Sequence, residues 1–148
     1  MSTRLFTAAC MAFVIATSSV PAGQKEGGDK TPEARRPKVK LKARPDAGIA
    51  PMRVVLTAEL EGGSNDFEQY YCPTVVWEWG DGSASEMSSD CEPYKPGESQ
   101  IKRRYTIEHT YKRSGRIRVY FSMRHRDKET VAIGVNIVVQ PGAGDNSE

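Results

Sequence analysis

The sequence predicts an all-β fold in which two sheets pack as a sandwich. Apolar and polar residues alternate in several segments between Lys38 and Gln140, and clusters of turn-forming residues separate these segments at short intervals. No segment in that range predicts a helix. With 148 residues, the chain has room for one ordinary domain. We therefore expect a single β-sandwich of about six or seven strands at residues 38–140.

Six segments share the alternation, and each predicts one strand: 38–44, 52–60, 75–79, 104–111, 116–124 and 131–139. In the first segment, Lys38, Lys40 and Lys42 occupy the polar side. A row of lysines discourages pairing with another chain, so this strand is expected at the edge of a sheet. The connections at 45–51 and 126–129 consist of turn-forming or charged residues.

The first 22 residues have the features of a secretory signal peptide. Arg4 supplies a positive charge, residues 5–20 are largely apolar, and Val20-Pro21-Ala22 offers small residues for cleavage after Ala22. The apolar run is short for a membrane span, and Cys10 lies inside it rather than after it, which disfavours a lipoprotein. We expect a bacterial-type protein that is secreted or periplasmic, with no membrane span after cleavage.

The segments on either side of the predicted domain are polar. Residues 23–37 predict a flexible charged linker, and residues 141–148 predict a disordered tail. The basic residues of the linker either keep it soluble or attract it weakly to an acidic surface. The formal net charge of +2 is too small to argue for a nucleic-acid partner.

Two short motifs carry a family resemblance. The strand that holds both tryptophans ends in Gly80-Asp81-Gly82-Ser83, a tight-turn signal because glycine tolerates positive φ and aspartate can bond its own backbone. Further along, His109-Thr110-Tyr111 is followed by Gly115. These stretches resemble the W-x-F-G-D-G-S and H-T-Y-x-x-x-G motifs of polycystic-kidney-disease (PKD) domains.

The resemblance covers residues 38–140 and implies an immunoglobulin-like (PKD-type) β-sandwich. Glu78 and Trp79 stand where the family more often has Asp and Phe, a change that keeps the inward and outward pattern. The positions that match the motifs are implied to hold the fold: Trp77, Trp79, Asp81, Gly82, His109 and Tyr111. The resemblance also implies a small extracellular domain with a non-catalytic role.

After removal of the signal peptide two cysteines remain, Cys72 and Cys91, which flank the tryptophan strand. An even count in an oxidising compartment favours one disulfide, which would close a loop of about 20 residues. The alternative, a two-cysteine metal site, lacks the histidines and the spacing of a zinc site. We expect neither a metal nor a cofactor.

Two long polar loops, 61–73 and 83–100, would be joined by this disulfide. They contain the candidate binding residues, all of them aromatic: Phe67, Tyr70, Tyr71 and Tyr94. Aromatic groups on loops anchor ligands at low entropic cost, but the same side chains would equally cover one end of the sandwich. A binding role predicts exposed and clustered rings, whereas a structural role predicts buried ones.

The sequence offers little for catalysis. His109 occupies a motif position, His125 lies between arginines near a turn, and neither belongs to a hydrolase motif. Asp81 is either a turn residue or part of a calcium site with Glu78, Glu86 and Asp90, and the turn role is the commoner one. We expect no enzymatic activity.

The outward arginines of the later strands would form one basic face if those strands are neighbours: Arg103, Arg104, Arg116, Arg118 and Arg124. An ordinary charged sheet face is the preferred interpretation of the same pattern. The expected function is therefore non-catalytic binding of a protein or a polysaccharide at the cell envelope. The alternative is a structural spacer of an envelope complex, without a ligand of its own.

Overall fold

The computed structural model describes residues 35–143, which form eight strands: β1 (Lys38–Arg44), β2 (Ala47–Ile49), β3 (Met52–Glu61), β4 (Thr74–Glu78), β5 (Ala84–Met87), β6 (Arg104–Tyr111), β7 (Gly115–His125) and β8 (Lys128–Gln140). A short 3-10 helix spans Glu68–Tyr70. The predicted signal peptide lies outside the described residues, as do 23–34 of the predicted linker and 144–148 of the predicted tail.

The strands form two sheets, which confirms the predicted all-β sandwich. One sheet has three strands in the order β1-β3-β6, and the other has five in the order β2-β8-β7-β4-β5. Neighbouring strands pair antiparallel, except that β2 runs parallel to β8. β1 lies at an edge of its sheet, as its lysines predicted. Within residues 35–143 there is no helix long and apolar enough to cross a membrane.

Two of the eight strands are absent from the predicted set. β2 lies in the segment predicted as turns and is only three residues long, too short for an alternation to show. β5 lies in a predicted polar loop, and three of its four residues are exposed because it is the edge strand beside β4. The strand count is therefore eight rather than six or seven.

The inward side chains of both sheets form one hydrophobic core. The rings of Trp77 and Trp79 stack with their centroids 6.3 Å apart, and Trp77 also lies 4.6 Å from Phe121 of β7. From the three-stranded sheet, Leu56 and Tyr111 reach the same core, and all five side chains are almost fully buried. The alternation that predicted these strands thus identified their inward faces.

Ion pairs cover the outer face of the three-stranded sheet. Four pairs cross it: Lys40–Glu61 (2.6 Å), Lys42–Glu59 (2.5 Å), Arg104–Glu59 and Arg53–Glu108. Exposed pairs of this kind add little stability, because water screens them. Their main consequence is that four cations of this face are paired with carboxylates, while Lys38 and Arg44 on the same side of β1 form no ion pair within residues 35–143.

The described fold begins before Lys38, the first residue of the predicted domain. Pro37 is fully buried, and the backbone oxygen of Arg35 accepts a hydrogen bond from Ser64 N at 2.7 Å. Arg36 donates from Nε to the Tyr70 hydroxyl at 2.9 Å and from its guanidinium to the Thr130 carbonyl. The last residues of the predicted linker are therefore packed against the sandwich.

Candidate functional site

A disulfide joins the two long loops, as the cysteine count predicted. Cys72 and Cys91 are bonded, with their Cα atoms 6.2 Å apart. The segment between the second loop and β6 also contacts the first loop: Ile101 N donates to Asn65 O at 2.8 Å, and Arg103 Nε donates to Asn65 Oδ1 at 2.7 Å. The loops therefore form one connected layer at the side of the sandwich.

The loop aromatics hold the loops together rather than lying free. Tyr70 is 1% exposed and packs edge-on against Phe67, with ring centroids 5.1 Å apart. The interpretation of Tyr70 as a binding residue is therefore wrong, because its ring belongs to the core and its hydroxyl is occupied by Arg36. Phe67 is partly buried against the same core.

Tyr71 and Tyr94 are half-buried and contact each other, with ring centroids 5.5 Å apart. Tyr71 donates its hydroxyl to the Glu92 carbonyl at 2.9 Å, and Tyr94 donates to the Asp66 carbonyl at 2.6 Å. The polar group of each ring is thus used inside the loop layer. These contacts favour the structural interpretation of the loops.

The motif residues converge on one contact cluster at the end of β4. The His109 ring stacks on Trp79 with centroids 4.3 Å apart, and the Tyr111 hydroxyl donates to the Trp79 carbonyl at 2.9 Å. Asp81 accepts at Oδ1 from Ser83 N (3.0 Å) and Ser83 Oγ (2.6 Å), while its Oδ2 lies 2.7 Å from His109 Nε2. This geometry joins the turn after β4 to β6 of the other sheet.

The contacts of Asp81 change its acidity. Partial burial raises the pKa of the carboxyl group, but the hydrogen bonds from Ser83 and His109 lower it by more, so the pKa falls from 3.8 to about 2. Both oxygens are already occupied by these partners, which supports the turn role over a calcium site. Among the described residues, no group of three or more His, Cys, Asp or Glu side chains is placed to hold a metal ion.

With Asp81→Asn, the free energy of unfolding should fall less steeply at acidic pH than it does in the wild type. A carboxyl group whose pKa is lowered on folding stabilises the protein above its unfolded pKa, and this contribution is lost as the pH falls towards 2. Because a third of the side chain is exposed, we expect a loss of only about 1 kcal/mol at neutral pH, equal with and without Ca²⁺. Urea unfolding between pH 6 and pH 2 measures this effect.

The control for this experiment is Asp90→Asn, which changes an exposed loop aspartate. Its free energy of unfolding should depend on pH in the same way as that of the wild type. If Asp81→Asn and the wild type lose stability in parallel as the pH falls, Asp81 does not carry the acid-sensitive contact.

The predicted basic residues divide between the two sheets. Arg104 lies on the three-stranded sheet, where it pairs with Glu59, and Arg103 donates to the carbonyls of Leu60 and Gly62. Three of the arginines share β7 and point away from the core: Arg116, Arg118 and Arg124. The condition for a single basic face of all five arginines, that their strands are neighbours, is not met, because β6 and β7 belong to different sheets.

An exposed aromatic platform lies on the outer face of the five-stranded sheet. The Tyr120 ring is 40% exposed, and the Arg118 guanidinium lies over it at 5.3 Å from the centroid. Gly134 stands opposite Tyr120 on β8, and a Cβ there would come within 3.0 Å of both the Tyr120 ring and Arg118 Nε. The absence of a side chain at Gly134 therefore leaves room for both the Tyr120 ring and the Arg118 guanidinium.

A shallow groove continues from this platform along β7 and β8. It is lined by Arg116, Ile117, Arg118, Asn136, Ile137 and Val138, and its volume is about 320 Å³. Val138 is 39% exposed, and Ile49 on the neighbouring β2 is 61% exposed. We call the surface formed by Arg116, Arg118, Tyr120, Asn136 and Val138 the outer face.

A larger cleft of about 570 Å³ opens at the end of this groove, between the β6–β7 turn and the turn after β4. Its charged residues are Asp81, Lys112, Arg113 and Arg116. Gly80 forms part of its wall with φ of 74°, and a Cβ there would lie 2.5 Å from the Arg118 carbonyl oxygen. The turn therefore fits against β7 only because this position is glycine. We call this feature the end cleft.

Sequence reasoning missed the platform and the cleft. Tyr120 stands on the polar side of the β7 alternation, where an aromatic residue is unusual, and this was the available signal. The pair Lys112-Arg113 lies in a turn, where charged residues carry no pattern that distinguishes a ligand site from a solvated turn.

One solved structure similar to this chain is the PKD domain of an M14-like peptidase from Thermoplasmatales archaeon SCGC AB-540-F20. The two share 15% sequence identity with a TM-score of 0.49, over 71% of this chain and 96% of that one. No family profile and no curated protein matches the chain. A PKD domain, the family that the sequence resembles, is thus among the known structures similar to this chain.

Proposed function

We propose that this protein is a non-catalytic binding module of the cell envelope and that it binds its ligand on the outer face. The observation that supports this most is the platform of Tyr120 and Arg118 over Gly134. Its ring and guanidinium are exposed side by side, and these two groups can stack and form hydrogen bonds with a ligand.

The contrast between the two sheet faces supports the same proposal. On the three-stranded sheet four cations are paired with carboxylates, whereas Arg116 and Arg118 of the outer face form no ion pair within residues 35–143. A charged group that serves only solubility needs no exposed aromatic or apolar neighbour. Here Tyr120 and Val138 lie beside the arginines and offer a mixed surface.

A catalytic role has little support from the two histidines. His109 is held between Trp79 and Asp81, which gives it a packing role, and His125 ends β7 beside a charged turn. Secretion and a position in the envelope fit the predicted signal peptide and the disulfide, since disulfides persist in oxidising compartments. A spacer without a ligand is the competing function.

Cosedimentation with the insoluble envelope fraction of the producing cells tests the proposal. We expect the wild type to sediment with the envelope and the double variant Arg118→Ser/Tyr120→Ala to lose this binding by about tenfold or more. The matched control, Arg53→Ser/Thr106→Ala, removes one arginine and one neutral side chain from the opposite face and should bind as the wild type does. If no form of the protein sediments above background, the binding function is wrong and the spacer function is favoured. If both double variants sediment as the wild type does, the binding site does not lie on the outer face.

A further inference from the structure

We propose that the end cleft and the outer face together bind an acidic polysaccharide, with a sugar carboxylate in the cleft and a sugar ring on Tyr120. This inference rests on the proposed binding function and names the class of its ligand.

The charges of the end cleft favour an anionic group. Lys112, Arg113 and Arg116 line it, all three are exposed, and none of them forms an ion pair within the described part of the chain. The acidic residue of the lining, Asp81, has its two oxygens directed to Ser83 and His109. The cleft therefore holds three cations without a carboxylate paired to them, and guanidinium groups bind carboxylates in a bidentate manner.

The shape of the surface favours an extended ligand over a single small anion. Arg116 and Ile117 line both the end cleft and the groove, so the two features are continuous. Along β7, Arg116, Arg118 and Tyr120 point to the same side, and four residues of strand span about 13 Å. A ligand that fills the cleft can thus continue past Arg118 and Asn136 to the Tyr120 ring.

The composition of the surface favours a carbohydrate over a protein partner. A stable protein interface buries about 800 Å² on each partner around an apolar core. On the outer face, Tyr120 and Val138 are four positions apart in the β7–β8 pairing and are separated by arginine and asparagine. One exposed flat ring with guanidinium and amide groups beside it suits a sugar ring, which has an apolar face and a rim of hydroxyl groups.

Defined polymers test the inference on the intact mature protein. The probes are polygalacturonate as the acidic polysaccharide, neutral dextran, poly-L-glutamate as a carboxylate polymer without sugar rings, and inorganic phosphate. Binding is measured by isothermal titration and by retardation in affinity gels at two salt concentrations.

The variants are Lys112→Ser/Arg113→Ser for the cleft and Tyr120→Ala for the platform. The matched control is Lys40→Ser/Lys42→Ser, which removes two cations from β1.

We expect the wild type to bind polygalacturonate more tightly than poly-L-glutamate and to bind dextran and phosphate weakly. The cleft variant should lose affinity for polygalacturonate by about tenfold, and the loss should shrink at high salt. Tyr120→Ala should weaken the binding of polygalacturonate but not of poly-L-glutamate. The control should stay within about twofold of the wild type, since its lysines lie on the other sheet.

Three results would overturn the inference. The first is that the wild type does not bind polygalacturonate. The second is that the control loses as much affinity as the cleft variant, which would show unspecific electrostatic attraction. The third is that poly-L-glutamate binds as well as polygalacturonate and Tyr120→Ala has no effect, which would show that the ligand is an acidic protein segment. Thermal melting of each variant confirms folding. If envelope binding depends on Arg118 and Tyr120 while polygalacturonate fails to bind, the ligand class is wrong and the proposed function stands.

Discussion

Trp77→Ala is expected to lower the free energy of unfolding by about 4 kcal/mol, the largest effect of any single substitution that we predict. Trp77 of β4 is fully buried, with the Trp79 ring on one side and the Phe121 ring on another. Removal of the indole leaves a cavity beside the Trp79 and Phe121 rings. Since a small domain is stable by about 5–15 kcal/mol, the variant should retain only a fraction of its stability.

Urea unfolding followed by circular dichroism measures this loss without depending on tryptophan fluorescence. The control is Tyr120→Ala, an aromatic residue of similar size on the outward side of β7, for which we expect a loss within about 1 kcal/mol. If Tyr120→Ala costs as much as Trp77→Ala, then Tyr120 is part of a packed interior, and the outer face is not a free surface.

Removal of the disulfide has the second largest expected effect. The bond between Cys72 and Cys91 closes a loop with a sequence separation of 19. In the chain-entropy description, such a cross-link stabilises the folded state by about 3 kcal/mol, because it restricts the unfolded chain. The variant Cys72→Ser/Cys91→Ser should therefore lose about this amount in urea unfolding.

The wild type treated with a reductant provides the matched control, because it lacks the bond but keeps the cysteines. Its unfolding midpoint should coincide with that of the double serine variant. The loops keep other contacts, such as Tyr94 to Asp66 and Ile101 to Asn65, so both proteins should remain folded. If oxidised, reduced and serine forms unfold at the same urea concentration, the disulfide adds nothing to stability.

The residues that stabilise the fold differ from those that form the candidate ligand surface. The tryptophans and the connected loops account for stability, because their side chains and hydroxyl groups are used inside the fold. The outer face and the end cleft contribute exposed cations and one exposed ring. Substitutions there should alter binding with a small effect on unfolding, which makes them suitable for the tests above.

The local alternation of the sequence was sufficient for most of the sheet structure. Residues 52–60 and 104–111 alternate so regularly that their inward faces, including Leu56 and Tyr111, followed directly from the period of two. The turn at Gly80-Asp81-Gly82-Ser83 was also predictable, since its φ values are positive at both glycines and Asp81 bonds Ser83. The cysteine count predicted the disulfide.

Short or exposed elements gave weaker signals. β2 has three residues and β5 has mostly exposed ones, so pairing with β8 and β4, rather than local pattern, makes them strands. The position of Tyr70, in a loop, also depends on tertiary contacts rather than on local pattern. A tyrosine among polar residues has no periodicity to indicate its direction, and only the packing of the loop under Arg36 decides that it is buried.

The sequence by itself therefore determined the fold class, the inward faces of the long strands, the turn after β4 and the cysteine pairing. The first three depend on neighbours along the chain, and the cysteine pairing depends on the number of cysteines. The tertiary structure decided which charges meet. Arg104 and Arg116 both lie on the polar side of a strand, yet one meets Glu59 and the other lines the end cleft. Whether a cation is neutralised or free for a ligand depends on which strands become neighbours, and that is set by long-range sheet pairing rather than by local sequence.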